Sequence, residues 1–351
     1  MIDLLQYGFT EDTQGADIAR ITAVHKERYE LICERGQIYG KLKPGVYFND
    51  SAEEFPTVGD FVRVVHNALG DCTITSTLPR ATAFTRRDPD KGRGAQAVAA
   101  NFDYVFILSS LNQDLSERRI ERYLSIAWDT GATPVVILTK SDLCEEAAIE
   151  AVCESVGGTA LGARVIPISA ATGAGLGDVR EYLTAGKTIV ILGSSGVGKS
   201  SLVNALAGVE LMRTSDIRED DDRGRHTTTH RQLLLMPRGG IVIDTPGMRE
   251  LGMWDAGEGV SEAFADVRDI LLRGCRFTNC THASEPGCAV REAIERGELT
   301  EKRWQNYQRL QREARRAQNK GEAMREKQAR NKAIAKFTKQ NKANERKRTF
   351  D

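Results

Sequence analysis

Between Ile18 and Pro79 the apolar residues come in short β-prone runs, ARITAVHKERYELICE, GQIYGKL and VGDFVRVV, separated by Gly, Pro and Asn turn signals. Strands this short leave unpaired edges unless the sheet closes on itself. The region therefore predicts a small, strongly curved antiparallel barrel, with the five-stranded oligonucleotide-binding (OB) barrel as its natural form. Such a barrel either binds nucleic acid or serves only as structure. The next stretch, TRRDPDKGRGAQ (residues 85–96), has no apolar period and carries Arg86, Arg87, Lys91 and Arg93 among its glycines. It predicts an exposed linker or hairpin, either touching RNA or simply solvated.

After it the rhythm changes. NFDYVFILSS, ATPVVILTK, ARVIPISA and TIVILGSSG are apolar strands, and stretches such as SERRIERYLSIAWDTG between them have helical spacing. Apolar strands alternating with amphipathic helices imply a parallel sheet covered on both faces, hence an α/β unit. From about Ser261 the chain reads as polar helix interrupted by a Cys/His cluster, and from Thr300 as one long charged helix with few core-spaced apolar residues after Leu310.

At 351 residues with 40% hydrophobic content, the chain holds two or three units with separate cores. No run of about 18 apolar residues occurs, and the start, MIDLLQYGFTEDTQGAD, has neither a basic leader nor an apolar secretory segment. The expectation is a soluble cytoplasmic protein with no membrane partner, and a monomer. Of seven cysteines, Cys33, Cys72, Cys144 and Cys153 are scattered while Cys275, Cys280 and Cys288 are bunched, which fits reduced thiols plus a metal site better than a disulfide framework. The formal net charge of zero hides an asymmetry: residues 301–351 hold 17 Lys and Arg against 6 Asp and Glu, so an acidic body carries a basic tail. Such a tail is either a solvated helix or a polyanion contact.

The strongest chemical signal is Gly193-Ser194-Ser195-Gly196-Val197-Gly198-Lys199-Ser200, followed by Ser201. It matches the phosphate-loop pattern G-x-x-x-x-G-K-S/T and stands between the apolar strand TIVIL and the helix SLVNALAG, as the chemistry requires. The glycines let consecutive N–H groups and the helix N-terminus face anionic oxygens. Lys199 would bridge the β and γ phosphates, and the Ser200 hydroxyl would ligate Mg²⁺. In GGIVIDTPGMRE, Asp244 ends an apolar strand and Gly247 follows three residues on, the arrangement in which the carboxylate supports Mg²⁺ and the glycine N–H senses the γ-phosphate. Between them DIREDDDRGRHTTTHRQ reads as a switch segment; Thr227, Thr228 and Thr229 offer the hydroxyl that completes the magnesium shell, Thr228 being favoured.

Thr139-Lys140-Ser141-Asp142, at another strand end, is similar to the guanine motif N-K-x-D. Asp142 would accept bonds from guanine N1–H and the N2 amine, which adenine cannot match, and Lys140 would lie along the base. Ile168-Ser169-Ala170 fits the companion loop whose Ala170 N–H meets guanine O6. Thr139 stands where Asn usually ties the base loop to the phosphate loop, so a looser connection is expected. The motifs also run in permuted order, with Asp142 and Ala170 ahead of Gly193 and Gly247 last; a fold whose ends lie close together tolerates this.

Cys275-x4-Cys280-x-His282-x5-Cys288 supplies three thiolates and an imidazole, enough to close a structural tetrahedral zinc shell. Arg273, Arg276, Arg291 and Arg296 nearby could face phosphates.

Barrel, permuted motifs and this Cys/His spacing together resemble the RsgA (YjeQ/YloQ) family of small-ribosomal-subunit biogenesis GTPases, over all but the last thirty or so residues. The resemblance implies a multidomain chain: an N-terminal OB-type β-barrel and linker (1–90), a circularly permuted α/β P-loop GTPase (91–254), a helical zinc-binding domain (255–316) and a basic tail (317–351). It further implies GTP, Mg²⁺ and one structural Zn²⁺, and docking on the small subunit and its rRNA until hydrolysis. Met248 occupies the place where many GTPases carry a water-positioning Gln, so intrinsic turnover should be slow. With the subunit present, His226 or His230 would orient the water; the bland reading is that both are loop histidines. Two other functions compete, a P-loop ATPase or kinase and a non-enzymatic RNA-binding scaffold regulated by nucleotide.

Overall fold

The computed structural model describes residues 2–10, 17–25, 28–45, 55–87, 95–112, 115–160, 162–212, 231–244 and 257–316. The first five strands are β1 (Ile18–Val24), β2 (Tyr29–Cys33), β3 (Gly36–Leu42), β4 (Phe61–Val65) and β5 (Cys72–Thr77). They run β1-β2-β3-β5-β4 and close through a second pairing of β1 with β4, giving the five-stranded barrel that the turn-rich runs predicted. Ala19, Ile21, Leu31, Val62, Val64 and Ile74 fill its interior, while Arg63 and Val65 alternate outward. One pairing departs from the antiparallel expectation: β3 and β5 are parallel. The reason is that β4 crosses to pair with β1, and β5 returns between β3 and β4.

A hairpin follows, β6 (Ala83–Arg87) with β7 (Ala95–Ala100). Phe84, Val98 and Ala99 insert into the main core, so the chain here takes the hairpin form of the two alternatives; Lys91 and Arg93 lie outside the described residues.

The α/β unit comprises β8 (Tyr104–Ser110), β9 (Thr133–Thr139), β10 (Arg164–Pro167), β11 (Thr188–Gly193), β12 (Gln232–Leu235) and β13 (Ile241–Asp244). Its order is β10-β9-β8-β11-β13-β12, parallel except for β12. Both faces are buried. Val105 and Ile107 of β8 point into one core, Phe106 and Leu108 into the other. Helices α3 (Leu176–Arg180) and α4 (Lys199–Ala207) cover the second face. Covering the first face are α1 (Glu117–Asp129), α2 (Glu146–Thr159) and the C-terminal helices α5 (Gly257–Ala263), α6 (Ala265–Leu272), α7 (Ala289–Glu295) and α8 (residues 301–316). Helix α1 shows why: Ile120, Tyr123, Leu124 and Ala127 recur at helical spacing and are buried together. Helix α5 crosses it so closely that a Cβ at Gly259 would sit 2.0 Å from the Ser125 carbonyl oxygen.

Barrel and α/β unit share one eleven-stranded sheet, a continuity not foreseen from the sequence. Past Ile21 the strand β1 leaves β4 and pairs with β12 at Ala23↔Gln232, which covers an otherwise open edge. Arg20, fully buried on β1, locks the joint. Its guanidinium donates to the carbonyls of Gly59, Tyr7 and Asn101 and to Thr188 Oγ1 at the start of β11. Burial pushes this guanidinium down to about 10, still charged at neutral pH. The basic tail, 317–351, lies outside the described residues.

Candidate nucleotide site and metal cluster

The parallel strands β9, β11 and β13 all end at one edge of the sheet, and there the structure gathers Thr139, Gly193 and Asp244. Gly193 is required for packing: a Cβ would lie 2.9 Å from Val197 Cγ1 and 3.1 Å from the Leu108 carbonyl oxygen. Gly196 and Gly198 have φ of 72° and 99°, a left-handed turn that β-carbon-bearing residues resist, and Gly198 caps α4. Within this loop Val197 is buried, Ser195, Gly196 and Ser201 are exposed, and Ser194, Lys199 and Ser200 are half-buried. The Lys199 ammonium folds back to donate to the carbonyls of Gly193 at 2.8 Å and Ser194 at 2.9 Å, which centres its charge inside the loop. Asp244 feels that charge. Burial raises the Asp244 carboxyl above its ordinary range, and Lys199 offsets only part of that rise.

After β9 and β10, Ser169 Oγ donates to Asp142 Oδ1 at 2.6 Å and itself accepts from the Thr172 N–H at 3.1 Å. Ser169 is wholly buried and Asp142 exposed, so a fixed hydroxyl orients a carboxylate that faces outward. Lys140 takes a left-handed φ of 61°, and the Ser141 N–H donates to the Ile168 carbonyl, which binds the loops after β9 and β10 together. Ala170 follows Ser169 at the half-buried rim.

The two ends meet at Thr139. Its hydroxyl donates to the Val197 carbonyl of the phosphate loop at 2.7 Å, and a Cβ on Gly198 would lie only 3.9 Å from Thr139 Cβ. The looser connection expected from Thr in place of Asn is therefore corrected: the shorter side chain still forms the tie, because the phosphate loop's backbone comes close enough for a hydroxyl to span the gap. Thr139→Val should keep the shape and lose this bond. Since a buried carbonyl left unpaired costs about 1–3 kcal/mol whether or not nucleotide is bound, the melting temperature should fall by several degrees. An unchanged melting temperature would sink this role. The remaining predicted residues His226, Thr227, Thr228, Thr229, His230, Gly247 and Met248 lie outside the described residues.

On the C-terminal module, the ligand atoms of Cys275, Cys280, His282 and Cys288 lie within 4.8 Å of one another. His282 Nδ1 is 3.5, 3.6 and 3.4 Å from the three sulfurs in chain order. Zinc–sulfur and zinc–imidazole bonds at tetrahedral angles place N and S about 3.6 Å apart, so the four donors fit one tetrahedral ion. The cluster is also braced from outside, the His282 ring meeting Trp304 of α8 edge-on at 5.4 Å.

The sequence profile described as RsgA GTPase matches residues 77–254. A protein from Listeria monocytogenes serotype 4b (strain F2365) named "Small ribosomal subunit biogenesis GTPase RsgA 2" is 45% identical over 316 residues, 88% of this chain and 89% of the relative. The chain belongs to the RsgA GTPase family. Among solved structures, YjeQ from Thermotoga maritima superposes with a TM-score of 0.63 at 29% identity, covering 85% of this chain and 98% of that one. YloQ, described as a circularly permuted GTPase, shares the fold with a TM-score of 0.60 at 22% identity over 88% of this chain and 98% of its own.

Two residues that organise this RsgA-family chain carried no motif signal. Arg20 and Arg303 are lone arginines in ordinary strand and helix contexts, and only their burial, 0% and 5% exposed, sets them apart from solvated ones. Ser169 was legible as part of a loop, but its hold on Asp142 depends on two loops folding toward each other. A cavity of 790 Å³ lies at the opposite edge of the sheet, lined by Arg20, Phe61, Asp103 and Lys187 among others. Lys187 already pairs with Asp103 at 2.6 Å and Arg20 with four oxygens, so it presents no free charge from these groups and is not the nucleotide site.

Proposed function

We propose that this protein is a cytoplasmic, monomeric GTPase that binds the small ribosomal subunit and its rRNA, assists late maturation and hydrolyses GTP to GDP and phosphate in response. The observation that carries the reading is the Thr139–Val197 bond, which joins a base-reading loop to a phosphate loop in one site. Asp142 and Lys140 recognise guanine there, with Ala170 N–H on O6. The amides of Gly193 to Ser201 surround the phosphates, and Lys199 exchanges its two carbonyl partners for phosphate oxygens. Ser200, Asp244 and Thr228 would hold Mg²⁺, which supplies charge neutralisation at the β and γ phosphates. Asp244 is suited to this because its burial penalises an uncompensated charge. Gly247 senses the γ-phosphate, and His226 or His230 orients the attacking water that Met248 cannot. Cys275, Cys280, His282 and Cys288 would hold Zn²⁺, which would order a segment with little core of its own. The boundaries 1–90, 91–254, 255–316 and 317–351 divide barrel, GTPase, zinc domain and tail.

GTP turnover measured alone, with purified small subunits and with large subunits decides the matter. Turnover should rise with small subunits only, and the His226→Ala or His230→Ala protein should lose about 10²-fold of the stimulated rate. Equal turnover under all three conditions removes the subunit from the proposal, and full activity in both variants removes the histidines.

A further inference from the structure

Four backbone or side-chain donors around the metal cluster converge on one carboxylate. Glu285 Oε1 accepts from the Thr281 N–H at 2.8 Å and the Thr281 hydroxyl at 2.5 Å, while Oε2 accepts from the N–H groups of Ala283 and Ser284, both at 3.0 Å. These donors flank His282 on both sides. His282 itself holds a left-handed φ of 60°, a conformation that costs a side-chain-bearing residue about 1–2 kcal/mol. The Ala283 carbonyl, in the same peptide unit as the Ser284 N–H, accepts from Arg291 of α7. The Arg276 N–H donates to the Gly287 carbonyl at 2.9 Å, fixing the loop's two ends to each other.

We propose that Glu285 is a positioning residue for the metal cluster: its carboxylate gathers the amides on either side of His282 and so holds the imidazole Nδ1 toward the three sulfurs before any ion arrives. The inference rests on the zinc reading given above. Its physical content is preorganisation. Without the carboxylate, residues 281–284 would have to be ordered, and His282 forced into its left-handed turn, at the moment of binding; that cost would be subtracted from metal affinity. Both oxygens are needed, since each accepts from two donors, and this separates positioning from mere space-filling. A Gln at 285 has the same shape but turns one oxygen into an NH₂ group facing two donors, so it should fail nearly as badly as Ala.

The test uses the full chain and the metal alone. Zn²⁺ affinity is measured by competition with a chromophoric chelator, and Co²⁺ titration reads tetrahedral thiolate coordination from its visible absorption, in the unaltered, Glu285→Gln, Glu285→Ala and Glu285→Asp proteins. Expected is a 10- to 100-fold loss of Zn²⁺ affinity in both the Gln and Ala proteins, the usual range for an outer-shell partner, with partial recovery in the Asp protein, which keeps two acceptor oxygens. Binding of a fluorescent GDP analogue, at the distant sheet edge, verifies that each variant has folded. Zn²⁺ affinity of the Gln protein within twofold of the unaltered chain overturns the role of Glu285 and leaves the zinc site standing. An unaltered chain that takes up neither Zn²⁺ nor Co²⁺ overturns both together.

Discussion

In the Asp142→Asn protein, GTP affinity should fall by about 10²- to 10⁴-fold, because two hydrogen bonds to a charged acceptor, each contributing about 1.5–3 kcal/mol, are lost or reversed. Xanthosine triphosphate should bind better to the variant than to the unaltered protein. The geometry specifies why the preference should switch and not merely vanish. Ser169 Oγ already donates to Asp142 Oδ1 at 2.6 Å, so in the variant the same hydroxyl favours the amide oxygen there and turns the NH₂ group outward to the base. Guanine presents donors at that edge, whereas xanthine presents an oxygen. Adding Ser169→Ala to Asp142→Asn should weaken the new preference by releasing the amide to rotate. Fluorescent GTP and xanthosine triphosphate titrations read both effects; GTP affinity unchanged in the Asn protein would mean that Asp142 does not contact the base.

Loss of the buried Arg303 should be the most destabilising single change among the ion pairs described here. Its guanidinium donates to Asp266 through Nε at 3.0 Å and Nη2 at 2.9 Å, to Glu121 Oε1 at 3.1 Å, and to the carbonyls of Thr159 and Ala263. It also lies over the Phe264 ring at 4.1 Å. These partners belong to α1, to the end of α2 and to the α5–α6 segment, so one side chain fastens the module that carries the Cys/His cluster to the GTPase sheet. Arg303→Met leaves Glu121, 1% exposed, as a buried carboxylate with Arg309 as the remaining opposing charge. Breaking such a pair costs about 3–5 kcal/mol, and a melting temperature lower by roughly 10 °C follows. Replacing Glu121 with Leu in the same protein should recover part of the loss, because an apolar pair avoids the desolvation cost.

The pH dependence of that loss has a definite sign. Burial raises the Glu121 carboxyl above its ordinary value, and Arg303 is the main influence opposing it. Without Arg303 the folded-state value rises further above the unfolded one, so the folded variant takes up a proton that the unfolded chain holds less tightly. Proton uptake relieves the variant below the unfolded value, and the relief disappears as the pH rises through the folded one. The gap in melting temperature between Arg303→Met and the unaltered protein should therefore narrow from neutral toward mildly acid pH. A gap that widened on acidification would place the lost interaction elsewhere.

Much of the candidate site was legible because its chemistry is local. A phosphate loop needs its glycines, Lys199 and Ser200 within a few positions of each other, since consecutive amides must surround one anion; spacing alone identifies it. The same holds for Cys275, Cys280, His282 and Cys288, whose four donor side chains fall within one short window. Short β-prone runs broken by turn signals, against apolar strands alternating with helices, likewise separated a barrel from a doubly covered parallel sheet. The legible part ended where contacts join distant segments. The continuity of β1 with β12 could not be read because strand pairing leaves no mark on composition, and Arg20 and Arg303 look like any other arginine until their surroundings are known.

The sequence by itself determined where chemistry is to be expected: a glycine loop suited to anions, a carboxylate suited to base reading and a Cys/His set suited to a metal, each encoded within a short window. Tertiary structure decided how those windows cooperate. Only the folded chain brings the Thr139 hydroxyl to the Val197 carbonyl, the Ser169 hydroxyl to Asp142, and Arg303 to carboxylates on two other segments. The physical reason is range. Backbone turns and metal spheres span a few residues, whereas hydrogen bonds between loops depend on the position of whole strands and helices, which the burial of two apolar cores sets collectively.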